Sequence, residues 1–101
     1  MDEAATRKEI RSILEKGTTT EVLPRADTTE QGVAIALRLR TAPDLKAKLV
    51  IGGFALAPVQ HEGAEQACET CINFLVHRRF CDQPELQLPV EPEWSCRIWK
   101  V

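Results

Sequence analysis

The sequence predicts a small single-domain protein of the α-plus-irregular class, with a mainly helical part, residues 1–58, and a loop-rich four-cysteine module, residues 64–101. Three observations predict this class. The helix-cap signals lie in the first part, together with most of the helical periodicity, and all four cysteines lie in the last third. Prolines at three positions after the third cysteine exclude a helix there. A chain of 101 residues has the length of one domain.

The first predicted helix covers residues 4–16. Ile10, Ile13 and Leu14 recur at helical spacing, and charged residues fill the opposite face. Gly17 follows at the position where a glycine commonly ends a helix. This segment is therefore predicted to cover one side of a core.

A second helix is predicted to begin near Thr28, because Thr28 and Gln31 have the spacing of a capping box. Residues 33–40 have two interpretations. Their alternation is also typical of a half-buried strand, whereas the cap and the helix-forming Ala, Leu and Arg favour a helix. Asp44 is a suitable N-cap for a third helix, residues 45–51.

The cysteine module is expected to begin helically over residues 64–77, with four residues on one face. These residues are Ala64, Cys68, Cys71 and Leu75. From Cys81 onward we expect an extended, proline-rich chain with little regular structure. Such a chain makes few local hydrogen bonds, so metal ligation on either side of it would hold it in place.

The strongest chemical signal is the spacing C-x2-C-x9-C-x14-C. The four predicted metal ligands are Cys68, Cys71, Cys81 and Cys96. Four thiolates complete a tetrahedral metal site or hold an iron–sulfur cluster. The N-terminus lacks the pattern of a signal peptide, so we expect a reducing compartment, where metal binding is favoured over disulfides or unpaired cysteines. The aromatic residues predicted to surround the sulfurs and exclude water are Phe74, Phe80, Trp94 and Trp99.

The identity of the metal has two interpretations. A structural zinc ribbon commonly uses two C-x2-C knuckles, whereas this chain has one knuckle and two separate cysteines. This spacing favours a [4Fe–4S] cluster, in which each iron needs one thiolate, and Zn²⁺ is the alternative. His61 and His77 could each replace a cysteine, but four cysteines already suffice.

The stretch from Cys68 to Trp99 resembles high-potential iron–sulfur proteins (HiPIPs). Like that family it has one C-x2-C pair ending at Cys71, a third cysteine at Cys81, and a fourth at Cys96 that is followed, after two residues, by the aromatic Trp99. The resemblance implies a [4Fe–4S] cluster, which in small HiPIP-like accessory subunits has a structural or regulatory role. The same stretch is similar to small four-cysteine bacteriophage and prophage proteins, which implies an accessory or virion protein.

These features predict a non-enzymatic binding or assembly module stabilised by a metal or an Fe–S cluster. The alternatives are a HiPIP-like one-electron carrier and a small zinc-stabilised nucleic-acid-binding regulator. The net charge of −2 does not favour nucleic acid, and no segment has the length of a membrane span, so the expected partner is a protein. Its expected contact is a basic patch formed by His77, Arg78 and Arg79. The expected location is the cytoplasm, or the virion if the protein is phage-encoded.

Overall fold

Three helices form the first part of the chain in a computed structural model that describes residues 2–100. The helices are α1, Glu3–Glu15; α2, Thr29–Arg40; and α3, Leu45–Gly52. Each begins after a side chain that accepts hydrogen bonds from the N–H groups of the first turn, and these N-caps are Asp2, Thr28 and Asp44. The prediction of helices in this part is confirmed. None of the helices within residues 2–100 is both long and apolar enough to cross a membrane.

Helix α2 decides between the two interpretations of residues 33–40. The Thr28 hydroxyl accepts from the Gln31 N–H at 3.1 Å, and Gln31 Oε1 accepts from the Thr28 N–H at 3.0 Å. Leu39 is 1% exposed, whereas Leu37, two residues earlier, is 53% exposed. A strand would place both leucines on one face, so the strand interpretation is wrong.

The second part begins with a β-hairpin. Its strands are β1, Val59–His61, and β2, Ala64–Gln66, which pair antiparallel. Glu62 and Gly63 form the turn with φ of 51° and 80°, a conformation typical of two-residue hairpin turns. The expectation of a helix over residues 64–77 is wrong, because this turn reverses the chain and residues 64–66 pair with β1 as a strand. A short 3₁₀ helix, Cys68–Thr70, is the only helical turn that the described residues form there.

A three-stranded antiparallel sheet follows, in the order β3-β4-β5. Its strands are β3, Phe74–Leu75; β4, Phe80–Cys81; and β5, Leu88–Pro89. The expected absence of regular structure after Cys81 is therefore wrong for β5. Pro89 is compatible with a strand here because β5 lies at an edge of the sheet, where a missing N–H is tolerated.

The end of the chain is buried against the helices instead of lying extended on the surface. Its fully buried apolar side chains are Leu86, Val90 and Trp94. Ser95 N–H donates to the Ala55 carbonyl at 3.0 Å, and Arg97 N–H donates to the Gly52 carbonyl at 2.8 Å. Helix α1 packs against β5. The helical part and the cysteine module therefore share one hydrophobic core.

Candidate metal centre

All four cysteines line one small cavity in the second part of the molecule. The cavity holds about 220 Å³ of space free of protein atoms, its opening to solvent included, and Phe74 completes the lining. The lining cysteines are Cys68, Cys71, Cys81 and Cys96, and all are free thiols. The structure therefore brings the four residues with the predicted ligand spacing to one place.

One tight turn fixes the two cysteines of the C-x2-C pair. Cys68 begins the 3₁₀ helix, and the Cys71 N–H donates to the Cys68 carbonyl at 3.0 Å. The Thr70 hydroxyl donates to the Ala67 carbonyl at 3.0 Å and reinforces the turn. Because the turn closes over two intervening residues, both cysteines border the same cavity.

Long-range pairing brings the other two cysteines to the cavity. Cys81 lies in β4, directly opposite Phe74 of β3. The Cys68 N–H donates to the Trp94 carbonyl at 2.6 Å, which aligns the segment that contains Cys96 with the C-x2-C turn. These contacts join residues far apart in sequence, so the cavity depends on the tertiary fold.

The cavity is more accessible at Cys71 than at its other cysteines. Cys68, Cys81 and Cys96 are 7%, 8% and 7% exposed, whereas Cys71 is half-buried. Burial of the surrounding protein controls solvent access to a metal centre and hence its redox potential. A group bound here would be closest to solvent on the Cys71 side.

The spacing of the sulfurs distinguishes between one metal ion and a cluster. Thiolates bound to a single Zn²⁺ at about 2.3 Å would lie about 3.8 Å from one another. Within residues 2–100, no three of the cysteine sulfurs lie within 4.8 Å of one another. A [4Fe–4S] cluster holds its thiolates further apart, because each binds a different iron. In the described part of the chain, the four sulfurs therefore do not have the close mutual spacing of thiolates bound to one Zn²⁺.

Burial disfavours the thiolate form of the three most buried cysteines. Burial raises the pKa of Cys81 to about 11 and that of Cys96 to about 12. Burial also raises the pKa of Cys68, and negative charge at Cys96, Cys81 or Cys71 raises it further. Because like charges destabilise one another at short range, four thiolates in this cavity need bound cations. A metal centre would supply them.

Of the four aromatic residues predicted to surround the sulfurs, Phe74 lines the cavity. Trp94 is fully buried and Phe80 is 5% exposed. Trp99 is half-buried, and its Nε1–H donates to the Thr70 hydroxyl at 3.0 Å. A role for Phe80, Trp94 and Trp99 in excluding water from the sulfurs stays a prediction.

The arginines of the predicted basic patch are paired within the chain. Arg78 Nε–H donates to Glu3 Oε2 at 2.7 Å, and Arg79 Nη1–H donates to Glu91 Oε1 at 2.9 Å. His77 is exposed beside them. A partner would have to exchange these ion pairs, so contact with this patch stays a prediction.

A second group of potential metal ligands contains no cysteine. His61 Nε2 lies 2.8 Å from Asp27 Oδ1, and Glu62 offers a third ligand atom within 4.8 Å of both. Asp27 and Glu62 are exposed. His61 does not line the cysteine cavity. A hydrogen bond between His61 and Asp27 accounts for this arrangement.

Arg25 is a buried neighbour of the cysteines that sequence patterns do not single out. Its Nη2–H donates to the Cys96 carbonyl at 2.6 Å, and its side chain is 1% exposed. No sequence motif distinguishes Arg25 from the other arginines of the chain. It is recognisable only when burial and hydrogen-bond partners are known.

Comparisons with known proteins assign this chain to no family. Searches against protein-family models, curated proteins and solved structures gave no match to it. The resemblance to HiPIPs and to small phage proteins therefore stays a prediction from the sequence pattern.

Proposed function

We propose that the four cysteines bind a [4Fe–4S] cluster that has a structural role in a non-enzymatic binding or assembly protein. The observation that carries this proposal is the single cavity that all four free cysteines line. A cluster is proposed over one zinc ion because, within residues 2–100, no three of these sulfurs lie within 4.8 Å of one another.

A structural role is supported by the elements that the cysteines connect. Cys68 and Cys71 belong to one turn, Cys81 to β4, and Cys96 to the C-terminal segment. Strands β3, β4 and β5 have two residues each, too few to be stable alone. A bound centre would cross-link these elements. For structural zinc in small peptides such binding contributes on the order of 10 kcal/mol to folding.

A binding role is supported by exposed apolar side chains near the most accessible cysteine. Ile72 is 68% exposed and Val76 is 69% exposed, and both lie within five residues of Cys71 in sequence. We propose that they contribute to a contact surface, since contiguous exposed apolar patches mark such surfaces. The proposed partner is therefore a protein.

The test is anaerobic purification followed by iron, sulfide and zinc analysis of the wild-type protein. We expect about four iron atoms and four sulfides per chain, with visible absorbance from thiolate-bound iron. Cys81→Ser and Cys96→Ser should lose most of the iron. Val76→Ser, an exposed change in the same module, should retain it. One equivalent of zinc and no iron would show that the zinc alternative is correct. Protein without any metal would refute the proposal.

A second candidate, a one-electron carrier, is favoured by the half-buried position of Cys71. A cluster whose ligand reaches the surface can exchange electrons with a partner. Voltammetry of the iron-loaded protein separates the two functions. A reversible one-electron couple within the physiological range supports the carrier, and a couple that lies outside that range supports the structural role.

A further inference from the structure

Arg25 is a buried cation that donates hydrogen bonds only to uncharged groups within residues 2–100. Its Nε–H donates to Gln66 Oε1 at 2.7 Å, and its Nη2–H donates to the Cys96 carbonyl at 2.6 Å. A third bond, from Nη1–H, reaches the Val22 carbonyl at 3.2 Å. In the same part of the chain no carboxylate oxygen lies within 4.0 Å of this guanidinium.

A buried charge without an opposite charge is strongly unfavourable, so the missing anion needs a physical explanation. Burial lowers the pKa of Arg25, because it disfavours the charged guanidinium. Asp27 is already within 2.8 Å of His61. The part of the candidate centre that this guanidinium contacts directly is the backbone of Cys96, at 2.6 Å.

Arg97 provides an internal comparison, because it is equally buried and follows Cys96 in sequence. Its side chain is 2% exposed, and its Nε–H donates to the Ile51 carbonyl at 2.8 Å. Unlike Arg25, it has a carboxylate partner, since its Nη2 lies 3.6 Å from Glu21 Oε1. One of the two buried arginines thus has a carboxylate partner within the protein, and the other is bonded to the backbone of Cys96.

We propose that Arg25 is a positioning residue for the thiolate centre, where it supplies the buried positive charge that offsets the thiolates and holds the Cys96 backbone. This inference rests on the proposed function. Four thiolates around either a [4Fe–4S] cluster or a zinc ion leave a net negative charge, which a nearby buried guanidinium stabilises. The hydrogen bond to the Cys96 carbonyl fixes the segment that carries one ligand.

The charge of Arg25 has a consequence for the reduction potential. When a one-electron reductant such as dithionite reduces the cluster, the centre gains one negative charge. A buried cation stabilises this reduced form more than the oxidised form. Removal of the cation should therefore shift the potential to a more negative value.

The experiment measures the midpoint potential of the iron-loaded protein and its variants. Arg25→Gln should disfavour reduction at least tenfold, which is a shift of about 59 mV for a one-electron couple. Arg25→Lys keeps the positive charge, so its midpoint potential should lie close to that of the wild-type protein. Gln66→Glu places a carboxylate against Arg25 with little change in shape, and should shift the potential in the same direction even if Arg25→Gln does not fold.

Arg97→Gln is the matched control, because it removes a buried arginine that already has a carboxylate partner. It should destabilise the fold and leave the potential nearly unchanged. An unshifted potential in Arg25→Gln or Gln66→Glu, or an equal shift in Arg97→Gln, overturns the inference about Arg25. Wild-type protein without metal refutes the proposed function itself. If the protein binds zinc instead, Arg25→Gln should lower zinc affinity at least tenfold in chelator competition.

Discussion

The helical part and the cysteine module are ordered by different kinds of interaction. Each helix of the first part carries its own start signal, as the side chains of Asp2, Thr28 and Asp44 show. The strands of the module have two or three residues. Their order depends on contacts between distant residues, such as the bond from Cys68 N–H to the Trp94 carbonyl. The module should therefore depend on its proposed centre more than the helices do.

Two spectroscopic signals separate the two parts. The three helices lie in the first part, so the circular dichroism at 222 nm reports mainly on them. Both tryptophans, Trp94 and Trp99, lie in the module, so tryptophan fluorescence reports on that region. Each part of the molecule therefore has its own independent measurement.

The largest effect is expected from removal of the proposed centre. Chelation of the metal, or the Cys81→Ser substitution, should lower the free energy of unfolding by several kcal/mol, since structural metal binding contributes on the order of 10 kcal/mol in small domains. The fluorescence of Trp94, buried in the native state, should shift to longer wavelength before the helical signal is lost. Equal loss of both signals at all metal concentrations would contradict a difference between the two parts.

A smaller effect is expected from substitutions of two leucines in helix α2, one buried and one exposed. Leu39→Ala should cost about 2–5 kcal/mol, because Leu39 is 1% exposed and the change leaves a cavity. Leu37→Ala, an identical change two residues away, should cost less than about 0.5 kcal/mol because Leu37 is 53% exposed. Urea unfolding of both variants measures the difference. Similar losses would contradict the helical register of α2.

The helices were predictable because their signals are local. The capping box of Thr28 and Gln31 is readable from the sequence, and it identified α2 correctly against the alternation of the residues that follow. The hairpin was not predicted, because Ala64–Gln66 has no clear alternation and its pairing depends on the turn at Glu62 and Gly63. Short strands of this kind are defined by their partners more than by their own residues.

The candidate site was predictable only in part, for the same reason. Cysteines are few and chemically distinctive, so the spacing of Cys68 and Cys71 is by itself enough to indicate a site. Arg25 has no such pattern, and its relation to Cys96, 71 residues away, exists only in the folded chain. The short distance between His61 and Asp27 is likewise a product of the fold.

The smallest effect concerns a surface ion pair of the helical part. Arg38 donates two hydrogen bonds to the Glu21 carboxylate, at 2.7 and 2.6 Å, and these bonds lower the pKa of Glu21 below its usual 4.5. A lowered pKa in the folded state gives stability that is present above pH 4.5 and is lost as the pH falls through the folded-state value. Because both side chains are more than one third exposed, solvent screening limits the gain to about 0.2–1 kcal/mol.

Urea unfolding of wild type, Glu21→Gln, Arg38→Gln and the double variant between pH 7 and pH 3 tests this pair. The coupling energy of the cycle should be small and favourable at pH 7 and should decrease toward pH 3 as the carboxylate becomes protonated. Arg97, whose Nη2 lies 3.6 Å from the same carboxylate, stays present in all four proteins, so its contribution cancels. A coupling energy that does not change with pH would show that the pair acts through packing instead of charge. The electrostatic attraction between Arg38 and Glu21 would then contribute nothing to the stability of the helical part.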